Sequence, residues 1–88
     1  MNEAREMRLK RLKMRSMRRG TKEMDIILSR YAEDCLSQMN PKALDLYEDF
    51  LEQNDQDLYQ WVSGQRPSAP QFMALVRDIR EHISQGHG

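Results

Sequence analysis

This chain of 88 residues lacks most of the residues that staple small folds or carry chemistry. A single cysteine, Cys35, excludes an internal disulfide, and no Cys/His cluster has the spacing of a zinc site. A lone thiol suits a reducing compartment. No apolar run approaches the roughly 20 residues that cross a bilayer, and the first residues lack the hydrophobic stretch of a secretory signal, so a soluble, intracellular protein is expected. Glu3, Glu6 and a lone serine, Ser16, argue against an organellar transit peptide in the Arg-rich start. The two histidines, His82 and His87, have no Ser/His/Asp or Cys/His pattern around them and are expected on the surface. Nothing resembles the glycine fingerprint of a dinucleotide site, and one small domain leaves little room for a buried active site. The expectation is a non-enzyme with no catalytic residues, no metal and no stably bound cofactor.

Charge is abundant and unevenly placed. Up to Gly20 there are eight basic residues and two acidic ones, a net of +6, and the remainder carries six basic and twelve acidic for −6, so the total of zero conceals a dipole. The basic arm invites a nucleic-acid reading, since eight cations over twenty residues would meet several phosphates. Against it stand the absence of any aromatic residue in the arm, the lack of a helix-turn-helix pattern, and the net negative remainder. Asp45, Glu48, Asp49, Glu52, Asp55 and Asp57 form an acidic run without the glycine turn or ligand ladder of an EF-hand, and are read as a solvated face.

Helical periodicity recurs along the chain and strand patterns do not. Residues 3–18 are good helix formers whose apolar members do not gather on one stripe, which predicts a lightly packed first helix. From Thr21 the spacing of Ile27, Leu28, Tyr31, Ala32, Cys35, Leu36 and Met39 predicts a central core helix, with Cys35 acting as a small hydrophobe. Asn40-Pro41 starts a third helix with Leu44, Tyr47, Phe50 and Leu51 on one face, running to about Gln53. Asn54 or Asp55 caps a short fourth helix bearing Leu58, Trp61 and Val62, which Gly64 terminates. After a loop over 65–69, Ser68 and Gln71 fit a capping box before a fifth helix with Phe72, Leu75, Val76, Ile79 and Ile83, and residues 84–88 are expected to fray. The fold class is therefore all-α, a compact five-helix bundle in one domain spanning 1–88.

Arm and core helix meet at Arg18-Arg19-Gly20-Thr21-Lys22-Glu23-Met24-Asp25. Arg18 and Arg19 suit the negative end of one helix, Glu23 and Asp25 the positive end of the next; Thr21 suits an N-cap, and Gly20 is expected to turn the corner at positive φ. These features alone serve a well-made corner or a functional surface equally. Arg19-Gly20-Thr21-Lys22-Glu23 matches the Arg-Gly-x-x-Glu motif of the SdhE family of succinate dehydrogenase assembly factors. The likeness covers roughly residues 11–83, including Leu46-Tyr47-Glu48-Asp49-Phe50-Leu51 and the Asp-rich turn Asn54-Asp55-Gln56-Asp57 with Trp61 following.

The resemblance implies a five-helix bundle that binds the flavoprotein subunit of succinate dehydrogenase, and often of fumarate reductase, and promotes covalent attachment of FAD to a histidine of that partner. It implies a contact patch of Arg19, Gly20 and Glu23, flanked by Arg18 and Asp25, with no FAD held stably by this chain. Asp55, Asp57 and Trp61 match a second shared segment, where Trp61 is read as core. It implies no membrane insertion and no nucleic acid, and a bacterial cytoplasmic or eukaryotic mitochondrial-matrix setting. The competing reading is an antitoxin-like or nucleic-acid-binding protein acting through the basic arm.

Overall fold

A computed structural model describes residues 3–85. Its five α-helices are α1 (Glu3–Ser16), α2 (Lys22–Cys35), α3 (Pro41–Leu51), α4 (Asp55–Val62) and α5 (Met73–Ser84), with 3₁₀ turns at Leu36–Gln38 and Pro70–Phe72. No strand occurs among the described residues. The expected tail falls partly on Ser84 and Gln85, of which Ser84 closes α5, while 86–88, with His87, lie outside the described residues.

The starts of α2, α3 and α4 carry the caps that their sequence promised, and that of α5 does not. Thr21 Oγ1 accepts from Met24 N at 3.3 Å, Asn40 Oδ1 from Ala43 N at 2.8 Å and Asn54 Oδ1 from Gln56 N at 2.8 Å. At α5 no side chain caps the helix, and Ser68 Oγ turns to the carbonyl of Ala69 at 3.0 Å. The chain enters a 3₁₀ turn at Pro70 and α5 starts only at Met73, so Ser68 and Gln71 do not stand at a helix start and the expected capping box does not form. Gly64 ends α4 as expected, at φ 82°, with Gln65 N donating to Gln60 O at 2.9 Å and Gly64 N to Trp61 O at 3.2 Å, the paired bonds of a Schellman motif. The core helix is shorter than its periodicity suggests, because the chain tightens into 3₁₀ geometry at Leu36.

α2 lies at the centre, against α1, α4 and α5. Met24, Leu28, Tyr31, Ala32 and Leu36 bury one face of its path, and Cys35 is half-buried beside them, its thiol pushed up by burial. Phe50, Trp61 and Phe72 bring α3, α4 and the last turn together; Phe50 and Phe72 meet edge to face at 5.4 Å between centroids. Trp61 is 6% exposed, which confirms it as core. His82 departs from expectation: it is half-buried, 2.7 Å from Asp34 and edge-on to Tyr31.

The first helix buries little apolar surface and carries a row of ion pairs outside it. Of its apolar residues only Leu12 is fully buried, while Ser16 Oγ bonds Leu12 O at 2.8 Å and the hydroxyl of Tyr47 at 2.6 Å. Outside this layer, Arg8 pairs with Asp45 at 2.6 Å and Glu48 at 3.0 Å, Arg11 with Glu48 at 3.3 Å, and Arg15 with Glu52 at 2.6 Å. Spacings of three and four residues set these arginines and carboxylates along facing sides of α1 and α3. The acidic run is therefore in large part a solvated face, as expected, but one that pairs with the arm, and the arm is not a free cationic tail. Arg5 adds bonds to the carbonyls of Ser37 and Met39, at 3.1 and 2.7 Å.

Candidate partner-binding site at the first helix corner

α1 ends at Ser16, two residues earlier than expected, and the chain crosses to α2 through Met17–Thr21. Arg19 faces inward there. Its Nε donates to Asp55 Oδ1 at 2.7 Å, its Nη1 to Leu51 O at 2.7 Å and its Nη2 to Gln53 O at 3.0 Å, with Nη2 also 2.6 Å from Asp55 Oδ1. The side chains of Arg19 and Asp55 are only 11% and 14% exposed. One guanidinium thus satisfies the end of α3, where helical carbonyls lack partners, and the first residue of α4.

Asp55 completes the corner from the other side. Its Oδ2 accepts from the backbone N–H groups of Gly20 and Thr21, the latter at 3.1 Å, immediately before α2. A carboxylate at a helix start meets unpaired N–H groups and the positive pole of the peptide dipoles, so Asp55 serves α2 through its side chain while opening α4 with its backbone.

Gly20 does not take the expected positive φ; Gly64 alone does so among the described residues. Glycine at position 20 gives space instead: an added Cβ would stand 3.0 Å from Asp55 Oδ2, so the carboxylate would have to give by a few tenths of an ångström. The absence of a side chain lets the Asp55 oxygen reach the backbone.

The remaining expected residues separate by exposure. Glu23 is exposed and makes no ion pair among the described residues. With Thr21, Gln56, Tyr59, Gln60 and Gln65 it borders an open notch of about 490 Å³, floored by Asp55. Arg18 is exposed on the opposite shoulder, and Asp25 is half-buried with Oδ1 enclosed and without a hydrogen-bond partner. Arg19 therefore forms the inner layer with Asp55, while Gly20 and Glu23 lie at the surface, Gly20 lending its backbone N–H to the joint. Sequence reasoning missed Tyr59, which borders the notch at 39% exposure, and took Asp55 for part of a solvated face. Only the shared Asp-rich segment signalled Asp55. No group of three or more His, Cys, Asp or Glu side chains is placed to hold a metal among the described residues, and no helix there is long and apolar enough to cross a membrane.

Comparison with known proteins identifies the family of the chain. Residues 10–83 match the family model described as flavinator of succinate dehydrogenase. The succinate dehydrogenase assembly factor 2, mitochondrial, of Schizosaccharomyces japonicus is 34% identical over 80 residues, covering 89% of this chain and 56% of that protein. Its namesake in Drosophila grimshawi is 31% identical over 85 residues, covering 93% and 58%. That of Aspergillus flavus is 41% identical over 58 residues, covering 66% and 20%. The chain thus spans little more than half the length of the first two relatives. With the family model matching nearly the whole bundle, the chain belongs to the succinate dehydrogenase flavinator family.

Proposed function

We propose that this chain is an assembly factor that binds the flavoprotein subunit of succinate dehydrogenase, or that of fumarate reductase, and promotes covalent attachment of FAD to a histidine of that subunit. The observation that carries this reading is the division of the Arg-Gly-x-x-Glu motif: Arg19 and Gly20 fasten three helix ends around Asp55, and Glu23 stands one turn away, unpaired and exposed. Arg19 acts on the partner by holding Glu23 and the rim of the notch in place. Gly20, Arg18 and Asp25 complete the patch.

The part assigned to this chain is non-catalytic. FAD and the reacting histidine stay with the partner, and a rigid docking surface favours the partner conformation in which the two are aligned, lowering the barrier through orientation. The bacterial cytoplasm or the mitochondrial matrix, where the flavoprotein subunit is assembled, is the setting this role requires. The competing nucleic-acid reading loses its basis in the arm, because Arg8, Arg11 and Arg15 already face carboxylates of α3.

The test is the Glu23→Ala variant, in which an exposed first-turn carboxylate costs only about 0.3 to 1 kcal/mol of stability. Flavinylation of the subunit, read as covalent-flavin fluorescence on a denaturing gel, is expected to fall at least tenfold while helicity stays unchanged. Full flavinylation by this variant would overturn the role given to Glu23.

A further inference from the structure

A larger concavity than the corner notch adjoins it across the turn after α4, where Gln65 borders the notch and Gly64 and Arg66 face the other way. It is an open groove of about 660 Å³ between α5 and the loop after α4, with Trp61, Val76 and Met73 along its apolar floor and Pro67 on its wall. Met73 is 53% exposed, although it sits one turn from the buried Val76. Met73, Val76, Arg77, Arg80 and Ser84 recur every three or four residues, so the groove follows a second face of α5, beside the one that enters the core.

Its charge is unbalanced. Arg66 on the loop wall is neutralised by Asp57 at 2.7 Å. Arg77 and Arg80 are exposed and have no ion pair or hydrogen bond among the described residues; the one carboxylate lining the groove is Glu81. The Arg80 guanidinium lies over the turn after α4: a Cβ at Gly64 would stand 2.8 Å from its Nη2, so the glycine that ends α4 also makes room for it. Elsewhere in the chain Arg5, Arg8, Arg11, Arg15, Arg19 and Arg66 are met by carboxylates or carbonyls, and Arg18 alone at the corner stands exposed as Arg77 and Arg80 do. Two unmatched guanidiniums beside an apolar trough form a surface complementary to carboxylates carried on a chain with apolar side chains.

We infer that this groove docks an acidic polypeptide segment, whose carboxylates pair with Arg77 and Arg80 while an apolar side chain covers Met73 and Val76. The twelve residues of α5 give a trough of roughly 16 Å, the reach of about five extended residues. An apolar floor and only two free cations favour a polypeptide over a phosphate backbone, which would need a longer cationic track. The groove is independent of Glu23 and of the role proposed for it.

Trp61 is the only tryptophan and borders the groove, so its emission reports occupancy. The probe is an acetylated hexapeptide alternating glutamate and leucine, titrated into the full chain at low salt. Expected are a saturable change in Trp61 emission, at least tenfold weaker binding to the Arg77→Glu/Arg80→Glu variant, and none of the lysine-for-glutamate peptide. Both positions are exposed, and far-ultraviolet circular dichroism will verify that the variant keeps its helices. Absence of a saturable change, equal affinity for the variant, or stronger binding of an oligothymidylate than of the acidic peptide would each overturn the inference.

Discussion

Two sets of arginine–carboxylate pairs join the first part of this chain to the α3–α4 region, and they differ in kind. Along α1 and α3, Arg8, Arg11 and Arg15 meet Asp45, Glu48 and Glu52 at the surface, where Asp45 and Glu52 are 69% and 64% exposed. At the corner, Arg19 and Asp55 are almost enclosed, and every polar group around them is a helix end awaiting a partner. The same chemistry therefore gives a solvent-screened seam in one place and a structural joint in the other. Ion-pair distance does not separate them, since both include contacts of 2.6 Å. Burial and the backbone groups served do.

Removing Asp55 tests that difference most severely. Asp55→Ala would leave an enclosed guanidinium and two unpaired N–H groups, at a cost of roughly 3 kcal/mol. In a domain of this size, thermal unfolding should drop by on the order of 15 °C. A variant melting within a few degrees of the parent would place the joint in the same class as the seam.

High pH probes the buried layer beneath the seam. Tyr47, bonded to Ser16, has its hydroxyl pushed up to about 12, chiefly by burial, while Tyr31 beside Asp78 is pushed up for the same reason. A phenol whose folded pKa exceeds its unfolded value near 10 contributes stability that is intact below pH 10 and is lost as pH rises through 12. Denaturant titrations should show roughly 2 kcal/mol lost across that window, with a shallower loss in Tyr47→Phe. An identical slope in both proteins would remove Tyr47 from the account.

The smallest effect belongs to the seam. Glu48→Gln weakens contacts to Arg8, Arg11 and Arg15 together, yet should cost under about 1 kcal/mol and lose most of that in 1 M salt. A salt-independent loss of 3 kcal/mol would make the seam equivalent to the joint.

The helices were legible because periodicity and capping are local: Thr21, Asn40, Asn54 and Gly64 each act within a few residues of themselves. The site was legible only in part. Arg19 and Glu23 share one motif, but nothing local shows that one turns inward to a carboxylate 36 positions away while the other stays in solvent. The +6 and −6 halves were visible as totals, and their cancellation residue by residue required α1 and α3 to lie side by side. Gly20 shows the same limit, since a glycine kept for space and one kept for positive φ read alike in sequence.

The Arg19–Asp55 joint also bears on the order of folding. Closing a loop of 36 residues costs entropy that only the finished contact returns, whereas α2 through α5 can each form from near neighbours. The joint becomes available only once α3 has folded back and α4 has started, which makes it a late event rather than part of a nucleus. Its loss in Asp55→Ala should then appear mainly as faster unfolding, with the refolding rate little changed. On that account, what Arg19 and Asp55 set is how long the corner beneath Glu23 stays closed.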